Sequence, residues 1–324
     1  MKRRTFIGLI AGAVAWPLAS RAQKQPTVIG WLGSGSGRSS QIFVDSLKQG
    51  LVESDLKEGR DFVLDLRWAE GRYDRFPLLA KELLDDKVDI IVATTISAVR
   101  AAQQATSTVP IVMTSITDAV GAGLVASLAH PGGNTTGISN LNEDLTPKLI
   151  DLLRELLPAA RKIAAIANPR NPSTDVLFRS LQTNAGSFGA TVTRFEIPSP
   201  SATEAIFELI PERGFDVIVV VPDAALIDLR EALASNAVKL HIPMISTIPE
   251  LTDAGALMGY GPPRRELHRR AGFYIKRIIA GAKPSELPVE QPQLIELSIN
   301  SKTASILGIR IPNVILVRAD RVVE

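Results

Sequence analysis

Short apolar runs rich in β-branched residues alternate with amphipathic helical stretches along almost the whole chain, and this alternation constrains the fold more than any motif does. Thr27 to Leu32 reads as a strand. Gln41 to Ser54 carries Ile42, Val44, Leu47 and Leu51 at helical spacing. Phe62 to Trp68 alternates, with Phe62, Leu64, Leu66 and Trp68 on one face and Val63, Asp65 and Arg67 on the other. Pro77 then stands near the start of a helix, where a missing N–H costs nothing. Ile90 to Ala93 and Ile111 to Met113 are continuous apolar runs, the pattern of strands buried on both faces. Strands separated by helices need a crossover each time, which implies a mostly parallel sheet covered on both faces.

The pattern then restarts. Pro131-Gly132-Gly133-Asn134 interrupts it with turn formers. Leu145 to Leu157 reads as a helix closed by Pro158, and Lys162 to Ala167, Thr191 to Ile197, Val217 to Val221 and Met244 to Ser246 as four further strands. Their starts fall roughly 28 residues apart, much as in the first half, without obvious identity between halves; the repeat is architectural. Ala256 to Gly261 predicts a strand running into a Gly-Pro-Pro turn. Arg265 to Ile279 predicts a helix capped by Gly281, Leu294 to Ile299 a strand, and Lys302 to Leu307 a short helix. These last elements are expected to cross back between the halves and complete both sheets. The expected fold class is therefore α/β: two doubly wound parallel-sheet lobes joined by a multi-crossing hinge. The first lobe is expected to comprise 27–138 plus about 262–290, and the second 139–261 plus about 291–324.

Residues 1–22 read as an address. Four basic residues (Lys2, Arg3, Arg4, Arg21) and no acid flank an apolar run from Phe6 to Leu18, and Ser20-Arg21-Ala22 offers small residues at a cleavage site. Arg3-Arg4-Thr5-Phe6-Ile7 resembles a twin-arginine leader, with an ordinary secretory signal as the alternative. Either predicts export to the periplasm. Without these residues 32 basic groups face 34 acidic ones, a net of −2, and aromatics make up 5% of the chain. Neither favours nucleic-acid binding. The absence of cysteine excludes disulfides, thiolate metal sites and a lipid-bearing cysteine. His130, His241 and His268 have no metal-ligand spacing, and no G-x-S-x-G elbow is present. No cofactor or metal is expected, and no enzyme.

Six stretches together resemble one family. They are Val28 to Gly35, Arg67-Trp68-Ala69-Glu70-Gly71, Gly123 to Leu128, Pro131 to Gly137, Asn168-Pro169-Arg170-Asn171-Pro172 and Gly255 to Gly261. Their ordered set, spanning Thr27 to Glu324, resembles the ABC-transporter substrate-binding family that includes tryptophan- and tyrosine-binding lipoproteins, a branch of the type I periplasmic binding proteins. The resemblance implies a bilobal, monomeric periplasmic receptor that delivers a small solute to an ABC permease. A receptor feeding a sensor, or a periplasmic hydrolase or isomerase, are the competing readings.

Parallel strands aim their C-terminal ends at a common cleft, so the candidate ligand residues are sought there. Gly33, Ser34 and Ser36 lie in a Gly-Ser loop after the first strand, where glycines admit close backbone approach and serines can hold an anion; a plain flexible turn is the alternative. That loop fails the dinucleotide fingerprint at Arg38 and lacks a P-loop ending. Thr94 and Thr95 open a helix, as caps or as carboxylate ligands. Ser115 and Asp118 follow the fourth strand; Asp118 could accept from an ammonium or cap a turn. Asn168, Asn171 and Asp223 follow second-half strands, with the same ambiguity between turn, cap and ligand. Tyr260 lies at an expected crossing, as a ligand platform or as hinge packing. Trp31 and Trp68 are expected in the core.

Overall fold

A computed structural model describes residues 25–140 and 142–324. The leader, residues 1–22, lies outside the described residues. The first half runs β1 (Thr27–Gly33), α1 (Gln41–Glu53), β2 (Phe62–Trp68), α2 (Phe76–Asp85), β3 (Ile90–Ala93), α3 (Ile96–Ala105), β4 (Ile111–Thr117) and β5 (Thr135–Asn140). The strands form one parallel sheet in the order β2-β1-β3-β4-β5. Its central strands are apolar on both sides because helices cover both faces: Ile90 to Ala93 are all buried.

The second half continues through α4 (Asn142–Leu156), β6 (Lys162–Ala167), α5 (Thr174–Gly186), β7 (Thr191–Glu196), α6 (Thr203–Leu209), β8 (Val217–Val220), α7 (Ala224–Asp228), α8 (Arg230–Lys239), β9 (Met244–Ser246), α9 (Glu250–Asp253) and β10 (Met258–Gly261). After β10 come α10 (Arg264–Ile279), β11 (Glu296–Asn300), α11 (Ser301–Ile306), α12 (Asn313–Arg318) and β12 (Arg321–Val323). The second sheet has the order β12-β11-β10-β9-β8-β6-β7. It is parallel except between β10 and β11. That exception follows from the chain path, since β11 re-enters the sheet from the first lobe.

The chain passes between the two sheets after β5, after β10 and again before β11. Between the last two passages α10 packs along α1 and against β4 and β5. Residues 287–290 then lie beside β5: Glu290 N–H donates to Gly137 O at 3.0 Å, and Ser139 N–H to Glu290 O at 2.9 Å. Strand β5 has no counterpart in the apolar pattern of the sequence. Its residues are Thr, Gly, Ser and Asn with one Ile, yet all six are buried because the returning segment covers the edge. Strand β4 runs beyond Met113 to Thr117, with a bulge between Met113 and Ile116. Ser115, at φ 57°, is the bulged residue and so lies within the strand.

Candidate functional site

The C-terminal ends of β3, β4, β5, β6 and β8 converge on a narrow cavity of about 30 Å³ between the lobes. The first lobe supplies Tyr73, Thr94 to Ser97, Ser115 to Thr117 and Asn140; the second supplies Asn171 to Ser173 and Pro222 to Ala224. Arg264, at the start of α10, completes the wall. Of the residues picked from the sequence, Thr94, Thr95, Ser115, Asn171 and Asp223 line this cavity.

Each is held by its own element. Thr95 is the N-cap of α3 and accepts from Ala98 N–H at 3.1 Å. Asn171 Oδ1 accepts from Ser173 N–H, and its Nδ2 donates to Pro222 O at 3.2 Å, which ties two second-lobe strand ends together. Asn140 Nδ2 donates to Ser115 O at 2.8 Å and so fixes the bulge.

Asp223 joins the lobes. It is 4% exposed and caps α7, with Oδ1 accepting from Ala225 N–H, Leu226 N–H and Asn168 Nδ2 at 2.9, 3.2 and 3.0 Å. Oδ2 accepts from the Tyr73 hydroxyl across the cleft at 2.9 Å. Burial pushes the carboxyl pKa of Asp223 up, against the pull of these donors. Burial together with the adjacent carboxylate pushes the Tyr73 phenol well above its ordinary value, so the phenol stays a donor.

Further contacts stitch the cleft. Ser40 Oγ donates to Asp228 Oδ1 at 2.8 Å, and Arg230 Nη1 donates to Ser39 O at 3.0 Å. Arg170 stands 3.7 Å from Asp74. Gly35 is a glycine for this reason: a Cβ there would lie 2.0 Å from Asp228 Oδ2. The two lobes are therefore in contact around the cavity, and the arrangement is a closed one.

A second space, of about 10 Å³ and so no larger than one water needs, adjoins the first and shares Thr94, Ala224 and Arg264 with it. Its other walls include Trp31, Gly33, Ser34, Ser40, Phe43, Asp228 and His268. Arg264 is 7% exposed and forms no ion pair; Phe43 lies under its guanidinium at 5.9 Å. Burial lowers its pKa from the usual value, while the charges of Glu250, Asp223 and Asp228 oppose that shift. His268 stacks on Phe43 at 4.9 Å and is held between Arg264 O at 2.7 Å and Thr114 Oγ1 at 3.2 Å. A carbonyl only accepts, so Nδ1 carries the proton and Nε2 accepts from Thr114. Burial and the neighbouring Arg264 charge push the His268 pKa down to about 3.

The remaining candidates lie elsewhere or serve other ends. Gly33 and Ser34 line the second chamber, but a Cβ on Gly33 would sit 2.3 Å from Trp31 Nε1, so the glycine makes room for tryptophan. Ser36 pairs with Ser39 at 3.0 Å within its own loop. Asn168 supports Asp223 from behind. Asp118 is exposed, at φ 43°, and accepts from Gly121 N–H at 2.8 Å; it caps its own turn outside the main cavity. Tyr260 pairs with Leu297 in the second sheet and packs on that lobe's core, not on the cavity. Trp31 is buried, as expected, and Trp68 packs against the same core. Sequence reasoning missed Tyr73, Ser40, Asp228 and Arg264. Only Arg264 carried a signal, a cation directly after Gly-Pro-Pro at a helix start. Among the described residues no helix is long and apolar enough to cross a membrane, and no acidic or histidine cluster is arranged for a metal ion.

The family model described as ABC transporter substrate binding protein matches residues 35–323. The chain belongs to this ABC transporter substrate-binding protein family. A tyrosine-binding protein of Clostridioides difficile (strain R20291) is 29% identical over 273 residues, covering 82% of this chain and 78% of that protein. The crystal structure of an ABC domain in complex with L-Trp from Streptococcus pneumonia superposes with a TM-score of 0.83 at 26% identity, over 92% of this chain and all of that one. A conserved domain protein of Vibrio cholerae superposes at 0.84, also with 26% identity and the same coverage. The fold of this family member is that of the type I periplasmic binding proteins, with two α/β lobes.

Proposed function

We propose that this chain is the periplasmic receptor of an ABC importer, which captures a small polar solute, amino-acid-like or carboxylate-bearing, by lobe closure and does not transform it. The observation that carries the reading is the Tyr73–Asp223 hydrogen bond, which closes two lobes over a cavity that both line. A solute that touches Thr94 and Ser115 on one side and Asn171 on the other favours the closed form by its extra contacts there. Interlobe polar contacts of this kind are each worth only about 0.5–1.5 kcal/mol, so closure stays reversible. The permease would read the closed surface, and the protein would act as a monomer after loss of its leader. Family membership and the names of the relatives support this reading, as does the leader pattern for export.

The test is a screen of amino acids and small carboxylates by thermal shift, followed by small-angle scattering and NMR of the mixture. A true solute raises the melting temperature, reduces the radius of gyration or leaves it at the closed value, and is recovered unchanged. Steady conversion of the solute would overturn the reading in favour of an enzyme.

A further inference from the structure

A separate pocket of about 350 Å³ lies across α10 from the solute cavity. Arg264 and His268 face the space beside the solute cavity, while Glu266, Arg269 and Arg270, about half a turn round the helix, face this pocket. Its walls are built from the hinge. Pro263 lies on the passage after β10, Gln291 to Leu294 lie on the passage before β11, and Ile138 stands near the end of β5, where the first passage begins. The volume falls within the range of about 300–1,000 Å³ usual for small-molecule sites.

The lining selects the occupant. Ile138, Pro263, Leu267, Pro292 and Leu294 give the pocket an apolar wall, and Leu294 is left 52% exposed. The four charged residues of the lining are already paired. Arg270 Nε and Nη2 donate to Glu290 Oε2 and Oε1, both at 2.8 Å, which also ties α10 to the last passage. Arg269 Nε donates to the two oxygens of Glu266 at 2.7 and 2.8 Å, and Arg269 pairs with Glu53 as well. A charged occupant would meet the apolar wall without a free counter-charge, which is costly. An uncharged one avoids that cost. The exposed amides of Gln291 and Gln293 offer donors and acceptors to its polar group.

We propose that this pocket is a second ligand site, for a small uncharged molecule with an apolar ring and one hydrogen-bonding group, and that filling it favours lobe closure. The two cavities lie on opposite sides of the same passages. Parting the lobes over the solute cavity brings the walls on the far side of the hinge together, so the pocket is widest while the cleft is shut. An occupant that fits the wide pocket binds the closed form better, and by linkage it raises the affinity of the cleft for its solute. The inference uses lobe closure from the solute-capture reading but not the identity of the solute.

The mature protein is titrated at neutral pH with naphthalene-2-carboxamide, and separately with 2-naphthoate and 2-naphthylmethylammonium, which put a negative and a positive charge on the same ring. Saturation-transfer NMR reads binding, and small-angle scattering reads closure. In each case the binding that counts is the part lost in Leu294→Glu, so occupancy of the solute cavity does not enter. The carboxamide binds and lowers the radius of gyration of solute-free protein, and the two ions bind at least about tenfold more weakly. Leu294→Glu, at an exposed position, keeps the melting temperature of the wild type, weakens the carboxamide by at least about tenfold and abolishes its effect on the radius. If Leu294→Glu lowers the melting temperature, Leu294→Ala takes its place, with a smaller loss in the same direction. No carboxamide binding that depends on Leu294, ions that bind there as tightly, or a radius that stays level or rises on binding overturns the inference. Solute capture is untouched by these outcomes and stands or falls on its own screen.

Discussion

Gly50 of α1 and Gly272 of α10 lie at the point where the two helices cross, so close that a Cβ on Gly272 would stand 2.3 Å from the carbonyl carbon of Gly50. A Cβ on Gly50 would meet Arg269 O at 1.8 Å. The contact is backbone against backbone. It seats α10, which follows the second passage between the sheets, on the first lobe, and it thereby sets where Arg264 enters the site.

Gly50→Ala and Gly272→Ala are therefore each expected to destabilise the protein. Overpacking a rigid contact costs about 1–3 kcal/mol, which is several degrees in melting temperature for a lobe of this size. Gly186→Ala is the control: a Cβ there meets nothing within 4 Å, and its melting temperature should be unchanged or slightly higher. Equal melting temperatures for all three variants would mean that the helices can separate at no cost.

Tyr73→Phe removes one donor from the buried carboxylate of Asp223 while keeping the ring against Phe76. The loss acts on the closed form alone, because the bond crosses the cleft. An unmade partner of this kind costs about 1–3 kcal/mol, so solute affinity should fall about 5- to 150-fold. Calorimetry reads the affinity, and scattering on the ligand-free variant should show a larger radius of gyration. An unchanged affinity would place the Tyr73–Asp223 contact outside the closure equilibrium.

Asp118→Ala should leave solute affinity within about twofold of the wild type. Its carboxylate caps the Gly121 N–H on the surface, and a lost cap costs stability of about 0.5–2 kcal/mol without touching the cavity. A strong loss of binding in calorimetry would return Asp118 to the site.

What the sequence made legible follows from burial. Strands such as Ile90–Ala93 and Val217–Val220 must be apolar throughout because helices cover both faces, so their composition announces them. Strand β5 is silent because its polar residues are buried against residues 287–290, a partner far along the chain. The rule that parallel strands point their ends at the ligand located Thr94, Ser115, Asn171 and Asp223 at the cavity. The same rule placed Asp118 there too, and the turn at φ 43° carries its side chain away. Tyr73 and Asp223 are 150 residues apart, and no local pattern encodes their meeting. Arg264 and Asp228 were missed for the same reason, since Phe43 and Ser40, which they meet, lie far along the chain.

Two buried groups give pH dependences of opposite sign, on different equilibria. Asp228 is enclosed by Ser40 and Gly35 of the opposite lobe, with Arg264 and Arg230 as the cations nearest it, and burial raises its pKa from 3.8 to about 6. A carboxyl with a raised pKa binds its proton more tightly in the closed form. Its contribution to closure is full below about pH 4 and is lost as pH rises through 6. Scattering on ligand-free protein should show the closed fraction increasing as pH falls from 7.5 to 4.5, and Asp228→Asn should remove that change. His268 contacts Trp31, Phe43 and Thr114, all in the first lobe, and its pKa is lowered from 6.5 to about 3. A histidine held neutral stabilises the fold fully above pH 6.5, and that stability is lost as pH falls toward 3. The melting temperature should therefore drop over the same acid range in which closure increases, with a shallower drop in His268→Gln. A melting temperature that stays level between pH 7 and 4.5 in the wild type would mean that His268 takes up its proton without unfolding the lobe around it.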